Sequence, residues 1–236
     1  MKRELGFAPC GLACCLCGEN ETCPGCRSDG CPNREACKNR LCCAEKALDG
    51  CWACPGFPCA GGMLGKPRIR AFAAYLKAHG AEKLLDRLAR NEREGLLYHY
   101  PGQIIGDYDL FDTQTEIWSA IENGLCYTGM LVKESLSDDH ILDLITVERT
   151  ERWRQDGDPR YWTAVWFQSR DPRFPEKLSQ ALGGAWYAVM KAGHTKLVAF
   201  PGKVLRYRAG DAEGRRGALD YGRSIGIPQL RMDWED

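Results

Sequence analysis

The chain lacks net charge, is poor in histidine and has no apolar run of membrane-spanning length. Its 236 residues carry 32 Lys+Arg against 32 Asp+Glu, a formal net charge of zero. That balance excludes a global basic field that would draw the protein onto nucleic acid or an acidic membrane, so nucleic acid is not an expected partner. No uninterrupted apolar stretch reaches the roughly 20 residues that span a bilayer, and Met1 to Cys10 lacks the apolar centre of a signal peptide. The expected location is the cytoplasm, with no membrane attachment. Catalytic signatures are missing as well. Gly102, Gly106, Gly183 and Gly184 lack the spacing of a phosphate-binding loop, and no Gly-x-Ser-x-Gly elbow occurs. His99, His140 and His194 sit in unrelated local contexts, and His79 closes a helix where the dipole accounts for it. Whether the chain catalyses any reaction stays open at this stage.

The first sixty residues are short of hydrocarbon. Their large apolar side chains are Leu5, Phe7, Leu12, Leu16, Leu41, Leu48, Trp52 and Phe57, too few to fold the segment by burial alone. What they have instead is sulfur. Of 14 cysteines, all but Cys126 lie between Cys10 and Cys59. Cys14-x2-Cys17, Cys23-x2-Cys26 and Cys51-x2-Cys54 each let the chain curl so that two sulfurs sit about 2.3 Å from one metal ion. Pro24-Gly25, Pro55-Gly56 and Pro58 favour the tight turns that such knuckles need. A structural zinc site contributes roughly 10–16 kcal/mol of apparent binding energy, which is also folding energy. With no histidine in the segment, all-sulfur sites are expected, holding two or three Zn2+ ions. An Fe–S cluster, which also takes four thiolates, is the alternative, although the bacterial ferredoxin spacing is absent. A disulfide framework needs an oxidising compartment to which nothing in the sequence points. Each four-thiolate zinc site carries a charge of about −2. Two of them turn the +3 balance of residues 1–70 to −1, which argues against a DNA-binding finger.

The series Cys10-Gly11-Leu12-Ala13-Cys14 with Cys17, then Cys23-Pro24-Gly25-Cys26, Cys43-Ala44-Glu45-Lys46 and Cys51-x2-Cys54 ending Phe57-Pro58-Cys59, resembles a prokaryotic cysteine-rich family, domain of unknown function 3795, over about residues 8–60. The resemblance implies a metal-binding cysteine domain with no known reaction. It carries over Cys10, Cys14, Cys17, Cys23, Cys26, Cys31, Cys37, Cys43, Cys51, Cys54 and Cys59 as metal ligands, and leaves Cys15 and Cys42 as extras.

Beyond the glycines and proline of 60–67 the pattern turns helical. Ile69, Phe72, Ala73 and Leu76 recur at helix spacing, as do Ala81, Leu84, Leu85 and Leu88 after a break at His79-Gly80. A further helix starts at Asp112 and stops at Asn123-Gly124. Strands are expected over 126–132, 144–153, 162–168, 185–191, 196–200, 204–208 and 229–234. Helices are expected after Ser137 and over 175–182 and 215–224. The fold class is α+β: a small irregular Cys-rich metal-binding module (1–62), a helical connector (63–125) and an antiparallel-sheet domain (126–236). Joining the strands about Pro201-Gly202 gives that domain the ferredoxin-like order βαββαβ, with its helices on one face. Trp153, Trp162, Trp166, Trp186, Tyr187 and Tyr207 are expected to fill the core, with a ligand cavity as the alternative. Arg206 and Arg208 alternate with Leu205 and Tyr207 onto the opposite, solvated face. The domain's expected partner is a small molecule or another protein.

Overall fold

A computed structural model describes residues 1–32 and 34–235. The chain divides into two compact units, Met1–Gly124 and Leu125–Asp236.

In the first unit the cysteine segment is mostly turns, with one regular element, α1 (Lys38–Glu45). It is followed by α2 (Pro67–His79), α3 (Ala81–Arg93) and α4 (Gln114–Asn123). Pro67 starts α2 at a position where its missing N–H costs nothing, and Gly80, at φ 83°, ends it. The apolar positions of α2 and α3 fall on the buried faces, with Ile69, Phe72, Leu84 and Leu88 fully enclosed. The cap of α4 is Thr113, one residue beyond the expected Asp112. Its hydroxyl accepts from the Glu116 amide and the Glu116 carboxylate reaches back to the Thr113 N–H. Asn91, fully buried, locks α3 to α4: its amide donates to the carbonyls of Ala120 and Ile121 and to the Tyr108 hydroxyl.

The second unit is a six-stranded antiparallel sheet in the order β2-β3-β1-β4-β5-β6. The strands are β1 (Tyr127–Val132), β2 (Thr146–Arg154), β3 (Tyr161–Ser169), β4 (Ala188–Ala192), β5 (Thr195–Phe200) and β6 (Lys203–Arg208). Two helices accompany them, α5 (Phe174–Ala181) and α6 (Ala212–Ser224). The mixed α+β class is as expected; the strand order is not. β5 and β6 form a hairpin rather than one merged strand, and the expected strand over 229–234 is a 3-10 turn, Gln229–Arg231, with irregular chain after it. The alternation that imitated a strand is real: Leu230 is 93% exposed while Met232 and Trp234 are buried. Those two side chains plug the α6 side of the sheet, where the Trp234 indole donates to the Tyr207 hydroxyl. Without a closing strand the ferredoxin-like order cannot form. What remains is one split βαβ unit: β3 and β4 are each antiparallel to β1, so they run parallel to each other on either side of it, joined through α5.

The helices do not share a face. Directly opposed residues in neighbouring strands point to the same side, which puts Phe167, Gly129, Met190, Leu197 and Arg206 on one face and Trp166, Met130, Val189, Val198 and Leu205 on the other. Phe174 of α5 packs on Phe167, ring centroids 5.0 Å apart, and Glu176 of α5 pairs with Arg206. Tyr221 of α6 meets Phe200 at 5.1 Å on the opposite side. With both faces covered, the last four residues of β5, Leu197 to Phe200, are all fully buried.

Candidate metal centre

The first cysteine loop is a tight hairpin. The Ala8 amide donates to the Leu12 carbonyl, the Gly11 amide to the Ala8 carbonyl, and Phe7 bridges Ala13. Gly11 is required twice over. Its φ of +96° suits a residue without a side chain, and a Cβ there would lie 2.9 Å from the Cβ and backbone nitrogen of Ala73 in α2. Gly25, at φ +92°, turns the Cys23-Pro24-Gly25-Cys26 knuckle in the same way. Arg27 then ties this loop to the third knuckle. Its Nε donates to the Phe7 carbonyl at 2.7 Å and its two terminal nitrogens to the Asp49 carboxylate and carbonyl, each at 2.9 Å. The Cys51 amide donates back to the Pro9 carbonyl at 2.7 Å.

Sulfur forms much of the core that results. Cys10, Cys14, Cys43 and Cys51 make up half of a buried cluster whose other members are Ala8, Leu64, Ile69 and Ala73. The module therefore borrows its hydrocarbon from α2 and the turn before it, a dependence that a segment-by-segment count of apolar residues does not reveal.

The cysteines fall into two sets. Cys10, Cys14, Cys17, Cys23, Cys26, Cys31 and Cys37 line a cavity of about 840 Å³. Cys43, Cys51, Cys54 and Cys59 lie outside that lining, as do the two extras, fully buried Cys15 and exposed Cys42. All fourteen cysteines are free thiols. Among the described residues, no three His, Cys, Asp or Glu side chains stand grouped ready to hold a metal ion; the sulfurs meet in pairs. The Sγ atoms of Cys43 and Cys51 are 3.7 Å apart, and the Asn39 amide donates to the Cys51 sulfur at 3.5 Å. Cys14 and Cys26 act on each other electrostatically. The 3.7 Å separation suits a metal: four sulfurs about 2.3 Å from a tetrahedral zinc stand about 3.8 Å from one another.

Electrostatics mark the same groups. Burial pushes the Cys10 and Cys43 thiols up to about 12, with neighbouring sulfurs adding to the effect. The Cys14–Cys26 pair favours a single thiolate, with Cys14 held down and Cys26 pushed up by its partner. Against burial, the backbone at Leu12 acts to lower Cys10 and that at Glu19 to lower Cys17. Cysteines at knuckle spacing, one pair already 3.7 Å apart, are a donor set that fits a sulfur-ligated metal.

Sequence reasoning missed the residues that frame the cavity. His99 accepts the Gly18 amide on Nδ1 at 3.0 Å, and burial followed by nearby Arg68 and Lys66 holds its pKa down to about 4. Arg68, only 3% exposed, pairs with Asp109 at 2.7 Å, donates to the carbonyls of Tyr98 and Ile104, and stacks 4.3 Å over the Tyr98 ring. The Tyr98 hydroxyl in turn accepts the Ala13 amide. These links run between positions 30 or more residues apart, and no local motif announces them.

The four tryptophans expected in the core are only partly buried. Tyr207 is buried, but Trp153, Trp162, Trp166 and Trp186 are half-exposed. Trp166 lies on the α6 face beyond the strands that α6 covers, with the Arg149 guanidinium 3.8 Å over its ring. Trp162 packs edge-on against Trp186 at 4.8 Å, with Arg231 5.0 Å above it. The core aromatics of this unit include Tyr127, Phe167, Phe174 and Phe200, with Tyr207 and Trp234.

No helix is long and apolar enough to cross a membrane among the described residues. No curated protein and no solved structure matches the chain. Residues 18–62 match the family described as "Protein of unknown function (DUF3795)", a match that takes in eight of the eleven expected ligands, from Cys23 to Cys59, and begins just after Cys17.

Proposed function

We propose that the first unit is a multi-zinc, all-sulfur binding module whose metal is structural, in a protein whose second unit binds a small molecule or a protein partner. The observation that carries the metal assignment is the 3.7 Å approach of Cys43 and Cys51. It is the spacing of two ligands on one ion. In a four-iron cluster each iron takes a single cysteine, so the ligand sulfurs stand farther apart; a two-iron cluster, with two cysteines on each iron, shares the spacing, and metal analysis separates it from zinc. The chemistry zinc supplies here is neutralisation: it lets several buried sulfurs persist as thiolates without mutual repulsion. The half-exposed tryptophan and arginine pairs suit the second unit to a ligand with an apolar or aromatic surface.

Elemental analysis beside an anaerobic visible spectrum tests the reading. A colourless protein holding two or three zinc ions per chain is expected. A brown protein with iron and labile sulfide replaces zinc by the cluster alternative, and freshly reduced protein with neither metal removes both.

A further inference from the structure

We infer that loading with metal draws Cys43, Cys51, Cys54 and Cys59 together into one tetrathiolate site, distinct from any formed by the cysteines around the cavity. The inference deepens the metal-binding reading and rests on it. Three features point to this set, although Cys43 and Cys51 share a buried cluster with Cys10 and Cys14 and Asn39 also lines the cavity. None of the four lines the cavity, whereas seven cysteines from the earlier part of the segment do. Cys43 and Cys51 already stand at ligand spacing. A dedicated scaffold surrounds them: α1 presents Cys43, and the 3-10 turn Cys51–Ala53 curls Cys54 back so that its amide donates to the Cys51 carbonyl at 3.1 Å. The Phe57 amide closes the next turn onto the Cys54 carbonyl, leading the chain towards Cys59.

Asn39 fixes this scaffold. It is 5% exposed; its amide nitrogen reaches both the Cys51 sulfur and the Gly61 carbonyl, and its Oδ1 accepts the Met63 amide at 2.8 Å. One side chain from the first turn of α1 thus holds a ligand sulfur and the chain that follows Cys59. An outer partner of this kind orients a ligand for its metal. Cys54 and Cys42 act electrostatically on Cys43, and Cys59 and Cys42 on Cys51. Cys42 is left out of the set because adjacent side chains on a helix diverge and do not face one ion together with Cys43. Loading the site with Zn2+ forms four Zn–S bonds and releases the thiol protons to solvent.

The test uses the full chain in its zinc-loaded state. Zinc is withdrawn stepwise with a chelator, newly freed thiols are alkylated with iodoacetamide at each step, and the modified cysteines are mapped by mass spectrometry. Cys43, Cys51, Cys54 and Cys59 are expected to become reactive together, at a chelator dose different from that freeing Cys10 and Cys14. Alkylation of the four at unrelated doses, or in the same step as the cavity cysteines, overturns the assignment while leaving metal binding intact. As a second measurement, Cys43→Ser with Cys51→Ser should lose one equivalent of zinc, and Cys14→Ser with Cys26→Ser should keep that equivalent. A wild-type chain that carries no metal fails the broader reading instead.

Discussion

Arg68 is the residue on which the wall of the cavity depends. Its charge is almost wholly removed from water, and Asp109 and three backbone or ring partners across residues 98–109 answer for it. Burial holds the Asp109 carboxyl above its usual range, and Arg68 works against that in part. Removing the arginine leaves a partly buried carboxylate unpaired, the costly half of a broken ion pair. Arg68→Met is therefore expected to destabilise the first unit by about 3–5 kcal/mol, measured by denaturant unfolding of the zinc-loaded chain. A change within about 0.5 kcal/mol, the usual range for an ordinary surface site, would show that Asp109 finds another partner. Gly11→Ala is the companion case. The added Cβ meets the Ala73 backbone and is strained at a φ of +96°, so loss of thermal stability and of zinc retention is expected together. A variant as stable as the parent would mean that the hairpin shifts away from α2 without cost.

Glu122 gives the residue scale a pH dependence. The Tyr75 hydroxyl first, and then Lys83 and Arg87, hold its carboxyl down to about 2 from an ordinary 4.5. A lowered folded-state pKa means that the folded form keeps the charged state longer than the unfolded chain does. The stabilisation is complete above about 4.5 and is lost as pH falls from there towards 2. Acid also strips metal from thiolates, so the informative quantity is a difference. The melting temperature of the wild type minus that of Glu122→Gln should be positive at neutral pH and shrink towards zero across that window. A difference that stays flat with pH would exclude this carboxylate as the source.

At the scale of elements, what the sequence revealed was whatever repeats at short range. The 3.6-residue spacing of Ile69, Phe72 and Leu76 places α2, and Pro67 and Gly80 mark its ends. Alternation and flanking turn residues place β1, β3, β5 and β6 within two residues. Met232 and Trp234 show the limit of that logic. Their period-two burial belongs to a coil threaded onto α6, and nothing local distinguishes it from a strand. The tryptophans failed for a related reason: which face a helix covers depends on how far along the sheet it lies, and α6 stops short of Trp166. In the candidate site the concentration of cysteine and the turn chemistry were legible. The division of the cysteines into two sets, and the part of Asn39, were not, because both depend on contacts closed in three dimensions. The capping box of α4, by contrast, is legible in Thr113 and Glu116. Thr113→Ala is expected to cost about 1 kcal/mol, read as a lowered melting temperature, and an unchanged one would mean that Asp112 takes over as cap.

For the whole molecule, the two units gain stability from different sources. The first has a core that is half sulfur around Cys10, Cys14, Cys43 and Cys51. The second has a mainly aliphatic and aromatic interior built on Phe167, Phe174, Phe200 and Leu197, with no fully buried cysteine. If metal supplies folding energy to the first, its removal withdraws that energy from one unit alone, because the second unit's interior contains no cysteine ligand. Hydrogen exchange on the full chain, with and without chelator, separates the two cases. Protection should fall in peptides spanning the cysteine loops and α1, and in the start of α2 where Ile69 and Ala73 share the sulfur core. β3, β4 and β5 should exchange at unchanged rates. Equal loss in both units would mean that they unfold as one cooperative body. Unchanged protection in the cysteine loops would mean that the thiols need no metal to hold their shape, and the proposed role of the first unit would fall with it.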